Sequence, residues 1–354
     1  MNAQEIIHAW GRILTGRRPS LSIEITRECP LRCPGCYAYE PGHAGEGLSL
    51  RQLSDYKNHE LVAKVLEVVD EYRPLHVSLV GGDPLVRYRE LDALLPQLSE
   101  RGIHTQVVTS AFRQIPAKWA TIPRLYMVVS IDGLREEHDI RRRPATYDRI
   151  IKNIAGHRVT VHCTITAQMM QRRGYLQDFM DFWTPRDEIK KVWFSMFTPQ
   201  KGAEALEILS PDERKRAVDE LLRLRGLYPK LDMAPGAIRE FLHPPSSPAK
   251  CIFAQTTDII SADLKTKVSP CQYGGNPDCS QCGCVASMGM AAVGHHKLGG
   301  LVQLGTIFKA SRAIGRVVRK SGGQSKDHQP PGPSKPPDSP LSTGWPDPES
   351  EHAA

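Results

Sequence analysis

Residues 21–36 read Leu21-Ser-Ile-Glu-Ile-Thr-Arg-Glu-Cys29-Pro-Leu-Arg-Cys33-Pro-Gly-Cys36, a strand-like run followed at once by three cysteines in the spacing CxxxCxxC. Three thiolates on one short loop can bind three irons of a four-iron cluster and leave the fourth iron open to a ligand. Scattered thiols or a small zinc site are the alternatives, although zinc sites more often contain CxxC pairs. The spacing therefore favours an iron–sulfur cluster.

Short β-rich runs alternate with longer helical patterns along the chain. Strand, helix and strand in repetition predict right-handed crossovers and a parallel sheet. The predicted strands are Leu21–Thr26, His76–Val80, Thr105–Thr109, Leu125–Ile131, Val159–Ile165 and Val192–Met196. Six such units predict an α/β fold, a partial (β/α)6 TIM-like barrel. Such barrels carry their chemistry on the loops at the carboxyl ends of the strands.

Two further strand ends carry polar or flexible residues. The second strand ends in Gly81-Gly82-Asp83-Pro84, where two glycines allow a close approach of the backbone to a ligand or form an ordinary turn. The fourth ends in Ser130-Ile-Asp132-Gly, so a hydroxyl and a carboxylate share one face at the mouth of the barrel. On the fifth strand, Cys163 is predicted to pack in the core and His162 to face the other way.

As a set, these motifs resemble those of the radical S-adenosylmethionine (radical SAM) superfamily. The resemblance implies that Cys29, Cys33 and Cys36 bind a SAM-cleaving 4Fe-4S cluster, whose open iron chelates the amino and carboxylate groups of SAM. It also implies a SAM site that includes Gly81, Gly82, Asp83, Ser130 and Asp132. Either Arg141 or Arg143 is expected to bind the SAM carboxylate, and Arg143 is the preferred candidate. Tyr37 is expected near the adenine.

A second group of cysteines follows a Pro-rich linker. It comprises Cys251, Cys271, Cys279, Cys282 and Cys284, and residues 257–271 read as two short strands about a turn. The order resembles the SPASM and twitch modules, which bind auxiliary clusters. Because the full SPASM pattern has seven cysteines and two clusters, five cysteines favour a single 4Fe-4S cluster, held by four of the five. A structural zinc is the alternative, since CxxC pairs suit tetrahedral zinc.

The domain boundaries follow the composition. Residues 297–320 hold apolar residues near helical spacing among lysines and arginines, which suits either an anionic membrane surface or a terminal helix docked on the barrel. Residues 321–354 are rich in Pro, Ser and Gly and are predicted to be a disordered tail. The predicted order is an N-terminal extension (1–19), the barrel (20–242), the cysteine-rich module (243–296), the basic segment (297–320) and the tail (321–354).

Function follows from the resemblance as an expectation. It implies an enzyme that cleaves SAM to a 5′-deoxyadenosyl radical and abstracts hydrogen from a peptide, a protein side chain or a small molecule. A lipid or isoprenoid substrate with a structural zinc, and a non-catalytic metal-binding scaffold, are the alternatives. Expected partners are SAM, an electron donor such as flavodoxin or ferredoxin, and a peptide substrate or a membrane surface.

Composition indicates the cellular compartment and the kinds of partner that the protein binds. A net charge of +7 is modest, so no nucleic acid is expected. Nine cysteines and an N-terminus without a charged-then-apolar leader suggest a reduced compartment. A cytoplasmic location, with peripheral membrane association through the basic segment, is therefore expected.

Overall fold

The computed structural model describes residues 3–298 and 302–321 of the chain. Its strands are β1 (Ser20–Glu24), β2 (His76–Val80), β3 (His104–Thr109), β4 (Leu125–Ile131), β5 (Val159–Ile165), β6 (Ile189–Met196), β7 (Thr257–Ile260), β8 (Lys297–Leu298) and β9 (Val302–Gln303). The first seven form one parallel sheet in the order β6-β5-β4-β3-β2-β1-β7. Consecutive strands are neighbours, as the predicted partial barrel requires.

Helices connect most of the parallel strands. They are α1 (Ala3–Leu14), α2 (Asn58–Tyr72), α3 (Tyr88–Glu100), α4 (Arg135–Arg141), α5 (Tyr147–Asn153), α6 (Ala167–Met170), α7 (Tyr175–Trp183), α8 (Pro211–Leu227), α9 (Pro235–Glu240), α10 (Ile252–Thr256), α11 (Val285–His295) and α12 (Leu304–Ser321). In the part of the chain that the structure describes, no helix combines the length and apolarity needed to span a bilayer.

The two faces of the sheet differ in chemistry. Alternate residues of the strands, such as Ile23, Leu79 and Val129, are fully buried in the main apolar core. Their neighbours along the strands point to the opposite face, and these are largely polar. Because hydrogen-bonded partners in register share a face, the polar residues form rows: Ser22, Ser78 and Gln106 in one, and Ser130, His162 and Trp193 in another.

The sequence prediction of the barrel is confirmed. The bounds of β2, β4 and β5 agree with the prediction, whereas β1, β3 and β6 begin earlier. Cys163 is fully buried in the core, as predicted. The predicted disordered tail lies almost wholly outside the described residues.

The C-terminal cysteine-rich region is joined to the barrel more closely than predicted. Residues 257–271 do fold back on themselves, with a bridge between Ile260 and Lys267, but β7 also pairs in parallel with β1. An unpaired edge of β1 would expose backbone donors and acceptors, and β7 satisfies them. The predicted separate strand pair therefore contributes a seventh strand to the main sheet.

Candidate functional site

The cysteine loop is anchored at the carboxyl end of β1. Cys29, Cys33 and Cys36 are free thiols of intermediate burial. The turn after β2 holds the start of the loop, because Gly82 N–H donates to the Thr26 carbonyl at 2.8 Å and Asp83 N–H donates to the Glu28 carbonyl at 2.9 Å.

Gly82 is required by this contact. A Cβ atom there would lie 2.0 Å from the Glu28 carbonyl oxygen, so only glycine lets the two segments meet. The Gly-Gly pair therefore packs the cysteine loop against β2. Its predicted contact with SAM stays a prediction.

Asp83 is buried and fully engaged by protein donors. One carboxylate oxygen accepts from Leu85 N–H at 3.0 Å and from Thr109 Oγ1 at 2.6 Å, and the other accepts from Ser110 N–H at 2.8 Å and Ser110 Oγ at 2.5 Å. A carboxylate has about four acceptor positions, and all four are filled. Asp83 therefore ties the end of β2 to the end of β3, and its predicted place in the SAM site stays a prediction.

A buried ion pair lies at the end of β4, beside the cysteine loop. Asp132 accepts from Arg142 Nε at 2.7 Å and Nη2 at 3.2 Å, and from Arg141 Nε at 3.2 Å. Burial alone would raise the pKa of Asp132, but the two guanidinium groups hold it at about 2. Arg142 also acts electrostatically on Cys33, lowering a thiol pKa that burial raises.

The sequence analysis did not name Arg142. Arg143, the predicted residue, is exposed, whereas Arg142 faces Asp132 and the cysteines. Arg141 donates to the Pro34 carbonyl at 2.8 Å and to Glu207 at 2.8 Å. The predicted role of Arg143 at the SAM carboxylate stays a prediction. Three consecutive arginines give no sequence signal for which one turns inward.

The polar face of the sheet continues from this ion pair. Ser130 is in register with His162, and His162 Nε2 lies 2.8 Å from Ser195 Oγ. Burial lowers the pKa of His162 to about 4, so its ring is neutral at neutral pH. Ser130 and His162 thus present neutral hydrogen-bonding groups beside Asp132, as the sequence analysis expected for this face.

Tyr37 faces the C-terminal cysteine-rich region. Its ring lies 5.4 Å from that of Tyr273 in an edge-on arrangement and 5.6 Å from that of His43. His43 is itself held by Glu24, with Nε2 2.7 Å from the carboxylate, which also accepts from Ser261 Oγ. The structure therefore places Tyr37 between the two cysteine groups, and a stacking role on adenine stays a prediction.

All five C-terminal cysteines line one cavity. It has a volume of about 30 Å³ and is partly open to solvent, and its lining includes Thr198, Tyr273 and Ser287 besides Cys251, Cys271, Cys279, Cys282 and Cys284. The chain thus brings together residues up to 33 positions apart in sequence, counted from 251 to 284. Among the described residues, no three His, Cys, Asp or Glu side chains are placed to hold a single metal ion.

The cavity is fixed to the barrel by two contacts that the sequence did not reveal. Gly283 packs against β6, where Met196 N–H donates to the Gly283 carbonyl at 2.9 Å and a Cβ on Gly283 would lie 2.0 Å from the Met196 carbonyl oxygen. Arg214 of α8 is buried and donates to the carbonyls of Gln281 at 2.6 Å and Cys282 at 3.1 Å.

Most thiols of the two cysteine groups stay protonated at neutral pH unless a metal binds them. Burial raises the pKa of Cys29 and of Cys271 to about 12, and it raises the pKa values of Cys33, Cys36, Cys279, Cys282 and Cys284. Thiolates therefore form there when a metal replaces the proton. The three-cysteine loop fits a cluster with one open iron, and the five-cysteine cavity fits a second cluster.

Comparison with known proteins shows which family part of the chain resembles. Residues 23–169 match the model of the radical SAM superfamily. The chain is 30% identical over 273 residues to PqqA peptide cyclase of Bradyrhizobium diazoefficiens, an alignment that covers 70% of this chain and 65% of that protein. It is 24% identical over 226 residues to Fe-coproporphyrin III synthase of Methanosarcina barkeri, covering 60% of this chain and 53% of that protein. The matched region is therefore similar to the radical SAM superfamily, whose members use a 4Fe-4S cluster and SAM.

Solved structures agree on the fold. Native anSMEcpe with bound AdoMet is 16% identical with a TM-score of 0.51, and the alignment covers 72% of this chain and 75% of that chain. Streptococcus suis SuiB bound to the precursor peptide SuiA is also 16% identical with a TM-score of 0.51, covering 86% of this chain and 67% of that chain. At these identities the likeness concerns the fold, and the chain spans about half to two thirds of the two curated relatives.

Proposed function

We propose that this protein is a radical SAM enzyme that cleaves SAM reductively and uses the 5′-deoxyadenosyl radical to take a hydrogen atom from a substrate. The observation that carries the proposal is the loop of three free cysteines at the carboxyl end of β1, beside the Arg142–Asp132 ion pair. Cys29, Cys33 and Cys36 would hold the cluster. When bound, that cluster supplies the electron for the cleavage of SAM.

The surrounding residues would position SAM and the substrate. Arg142 offers a guanidinium near the cysteines, which suits a carboxylate. Ser130 and the neutral ring of His162 offer hydrogen bonds on the polar face of the sheet. The cysteine-rich region covers part of this face, since Val285 N–H donates to Ser195 Oγ at 3.2 Å. Substrate bound between the two would be shielded from water.

A peptide or protein side chain is the substrate class that we propose. Two of the similar proteins carry peptides in their names: PqqA peptide cyclase, and SuiB bound to its precursor peptide. A flavodoxin or ferredoxin is proposed as the electron donor.

We further propose that four of the five C-terminal cysteines bind an auxiliary 4Fe-4S cluster. Four sulfurs about 2.3 Å from one zinc ion enclose a space only a few ångströms across. The support for the larger group is that five cysteines line one cavity while, among the described residues, no three of them are placed to hold a single metal ion. Cys282 and Cys284 are separated by the packed Gly283, so one of these two is the candidate for the cysteine that is left out.

The first experiment tests the core chemistry. Anaerobically reconstituted protein with SAM and dithionite should release 5′-deoxyadenosine, and the triple variant Cys29→Ala, Cys33→Ala, Cys36→Ala should not. Cys163→Ala is the matched control, because that thiol lies in the apolar core. Undiminished release by the triple variant would contradict the proposal.

The second experiment tests the auxiliary cluster. The triple variant should remain brown and carry about four irons and four sulfides per chain. Adding Cys271→Ala and Cys251→Ala to it should remove that iron. A colourless triple variant with one zinc per chain would favour the structural-zinc alternative.

A further inference from the structure

Four arginines surround a cavity at the opposite end of β1 from the cysteine loop. The cavity is about 50 Å³, partly open to solvent, and is lined by Arg17, Arg18, Arg312 and Arg316 together with Ile13, Gly16, Gln255 and Phe308. Helices α1 and α12 form its walls and are joined by the stacking of Trp10 on Phe308, with 6.3 Å between ring centroids. Nothing in the proposed SAM chemistry uses this cavity.

Not every arginine of the cavity has an acidic partner among the described residues. Arg18 lies 3.4 Å from Asp258 and donates to the Thr257 carbonyl at 2.8 Å, while Arg17 donates to the Glu71 carbonyl at 3.3 Å. Arg312 donates to the neutral side chain of Gln255. The described residues that line the cavity include no acid, and the sequence of α12 contains no Asp or Glu.

The arginines act on one another. Burial lowers the pKa of Arg312, and repulsion from Arg18 and Arg316 lowers it further. Bringing like charges together costs free energy, which a bound anion would recover. A guanidinium group pairs with phosphate through two parallel hydrogen bonds. Phosphate-binding sites therefore often contain several arginines that point into one cavity.

We propose that this cavity binds a phosphate-bearing anion. The site lies between α1, the start of β1 and α12, and it is separate from both cysteine groups. Its ligand is either a soluble phosphate compound or the headgroup of an anionic lipid, since the two share the recognised chemistry.

The outer surface of α12 suggests how to separate these two sources. Ile314 is 53% exposed, Val317 is 64% exposed and Val318 is 48% exposed, so an apolar surface adjoins the basic cavity. An apolar strip beside cationic side chains suits the interface of an anionic bilayer. A soluble phosphate compound would not need these side chains, whereas a lipid surface would.

The experiment uses the full chain, reconstituted anaerobically, in two arms. Pyrophosphate binding is measured by titration calorimetry at low salt, and vesicle binding by co-sedimentation with phosphatidylcholine alone or mixed with phosphatidylglycerol. If the ligand is a soluble phosphate compound, Arg312→Gln should weaken pyrophosphate binding about tenfold. If the ligand is a lipid headgroup, the same change should weaken binding to the anionic vesicles about fivefold. Lys309→Gln is the control, because it removes a charge from an exposed position on α12 that does not line the cavity.

The outcomes are distinct. Pyrophosphate binding that Arg312→Gln weakens and Ile314→Ser leaves unchanged supports a soluble ligand. Binding to anionic vesicles alone, weakened by both changes, supports a lipid headgroup. If Arg312→Gln lowers the midpoint of thermal unfolding, Arg316→Gln takes its place in both arms, because Arg316 lines the same cavity at an exposed position. Absence of binding in both arms, or equal losses with Lys309→Gln, would overturn the proposal. Release of 5′-deoxyadenosine, measured alongside, should be unchanged in every variant.

Discussion

Tyr37 and Tyr273 meet edge to face, with their ring centroids 5.4 Å apart. Tyr37 follows Cys36 directly, and Tyr273 is two residues after Cys271, so this contact joins the two cysteine groups. The backbone supports it as well, because His43 Nδ1 lies 3.1 Å from the Tyr273 carbonyl oxygen. The loop after β1 and the C-terminal cysteine-rich region are therefore packed as one unit.

This contact predicts an energetic coupling between the two regions. In a double-mutant cycle of Tyr37→Leu and Tyr273→Leu, urea unfolding should give a coupling energy of about 0.5–1.5 kcal/mol, as for other aromatic pairs. Tyr126→Leu, at an exposed position on β4, paired with Tyr273→Leu should give a coupling near zero. Additive losses for the Tyr37 pair would show that the ring contact carries no free energy of its own.

Gly82→Ala should disturb the cysteine loop. The added Cβ would lie 2.0 Å from the Glu28 carbonyl oxygen, so the segment before Cys29 must move. We expect a loss of about 1–3 kcal/mol in the free energy of unfolding and a lower iron content after reconstitution. Gly226→Ala on α8 is the control, because a Cβ there meets no atom within 4 Å. Full iron loading of Gly82→Ala would show that the loop tolerates the shift.

Arg142→Gln should weaken SAM binding more than Arg143→Gln. The first change removes the bidentate partner of buried Asp132 and the guanidinium that acts most strongly on Cys33, whereas Arg143 is exposed. We expect about a tenfold loss of SAM affinity for Arg142→Gln, the usual scale for a hydrogen bond to a charged group. Titration of SAM into the reconstituted variants measures the difference. The reverse order of affinities would restore Arg143 as the SAM ligand.

His138 should make folding depend on pH in the acidic range. It is fully buried, Nδ1 accepts from Asp132 N–H at 3.0 Å and Nε2 lies 2.7 Å from the Ala145 carbonyl oxygen. Burial first, and Arg142 next, lower its pKa from 6.5 to about 4. The unfolded chain takes up the proton at higher pH than the folded one, so stability is present above 6.5 and is lost as the pH falls towards 4.

The loss should be about 1.4 kcal/mol per pH unit across this window. Urea unfolding at about pH 7 and about pH 5 measures it in the wild type and in His138→Gln. The variant should be less stable at neutral pH but should lose less on acidification. His59→Gln, at an exposed position on α2, should keep the wild-type pH dependence. An unchanged pH dependence in His138→Gln would assign the acid sensitivity to other groups.

Local patterns determined most of the barrel. Short β-rich runs predicted β4 and β5 to the residue. The alternation within β5 placed Cys163 in the core and His162 on the other face, because side chains on a strand point alternately to the core and away from it. The cysteine spacings selected the two candidate metal-binding regions, since three cysteines close together on one loop can bind a single cluster.

Tertiary structure alone decided which residues meet across the chain. Two contacts join segments more than a hundred residues apart, namely the pairing of β7 with β1 and the packing of Tyr37 against Tyr273. The inward orientation of Arg142 rather than Arg143 depends on a small rotation of the backbone there. The engagement of Asp83 by Thr109 and Ser110 is of the same kind, because it needs β2 and β3 to end side by side. Sequence periodicity fixes the face on which a side chain lies, but its partners are set by the packing of remote elements, where burial and hydrogen bonding are satisfied together.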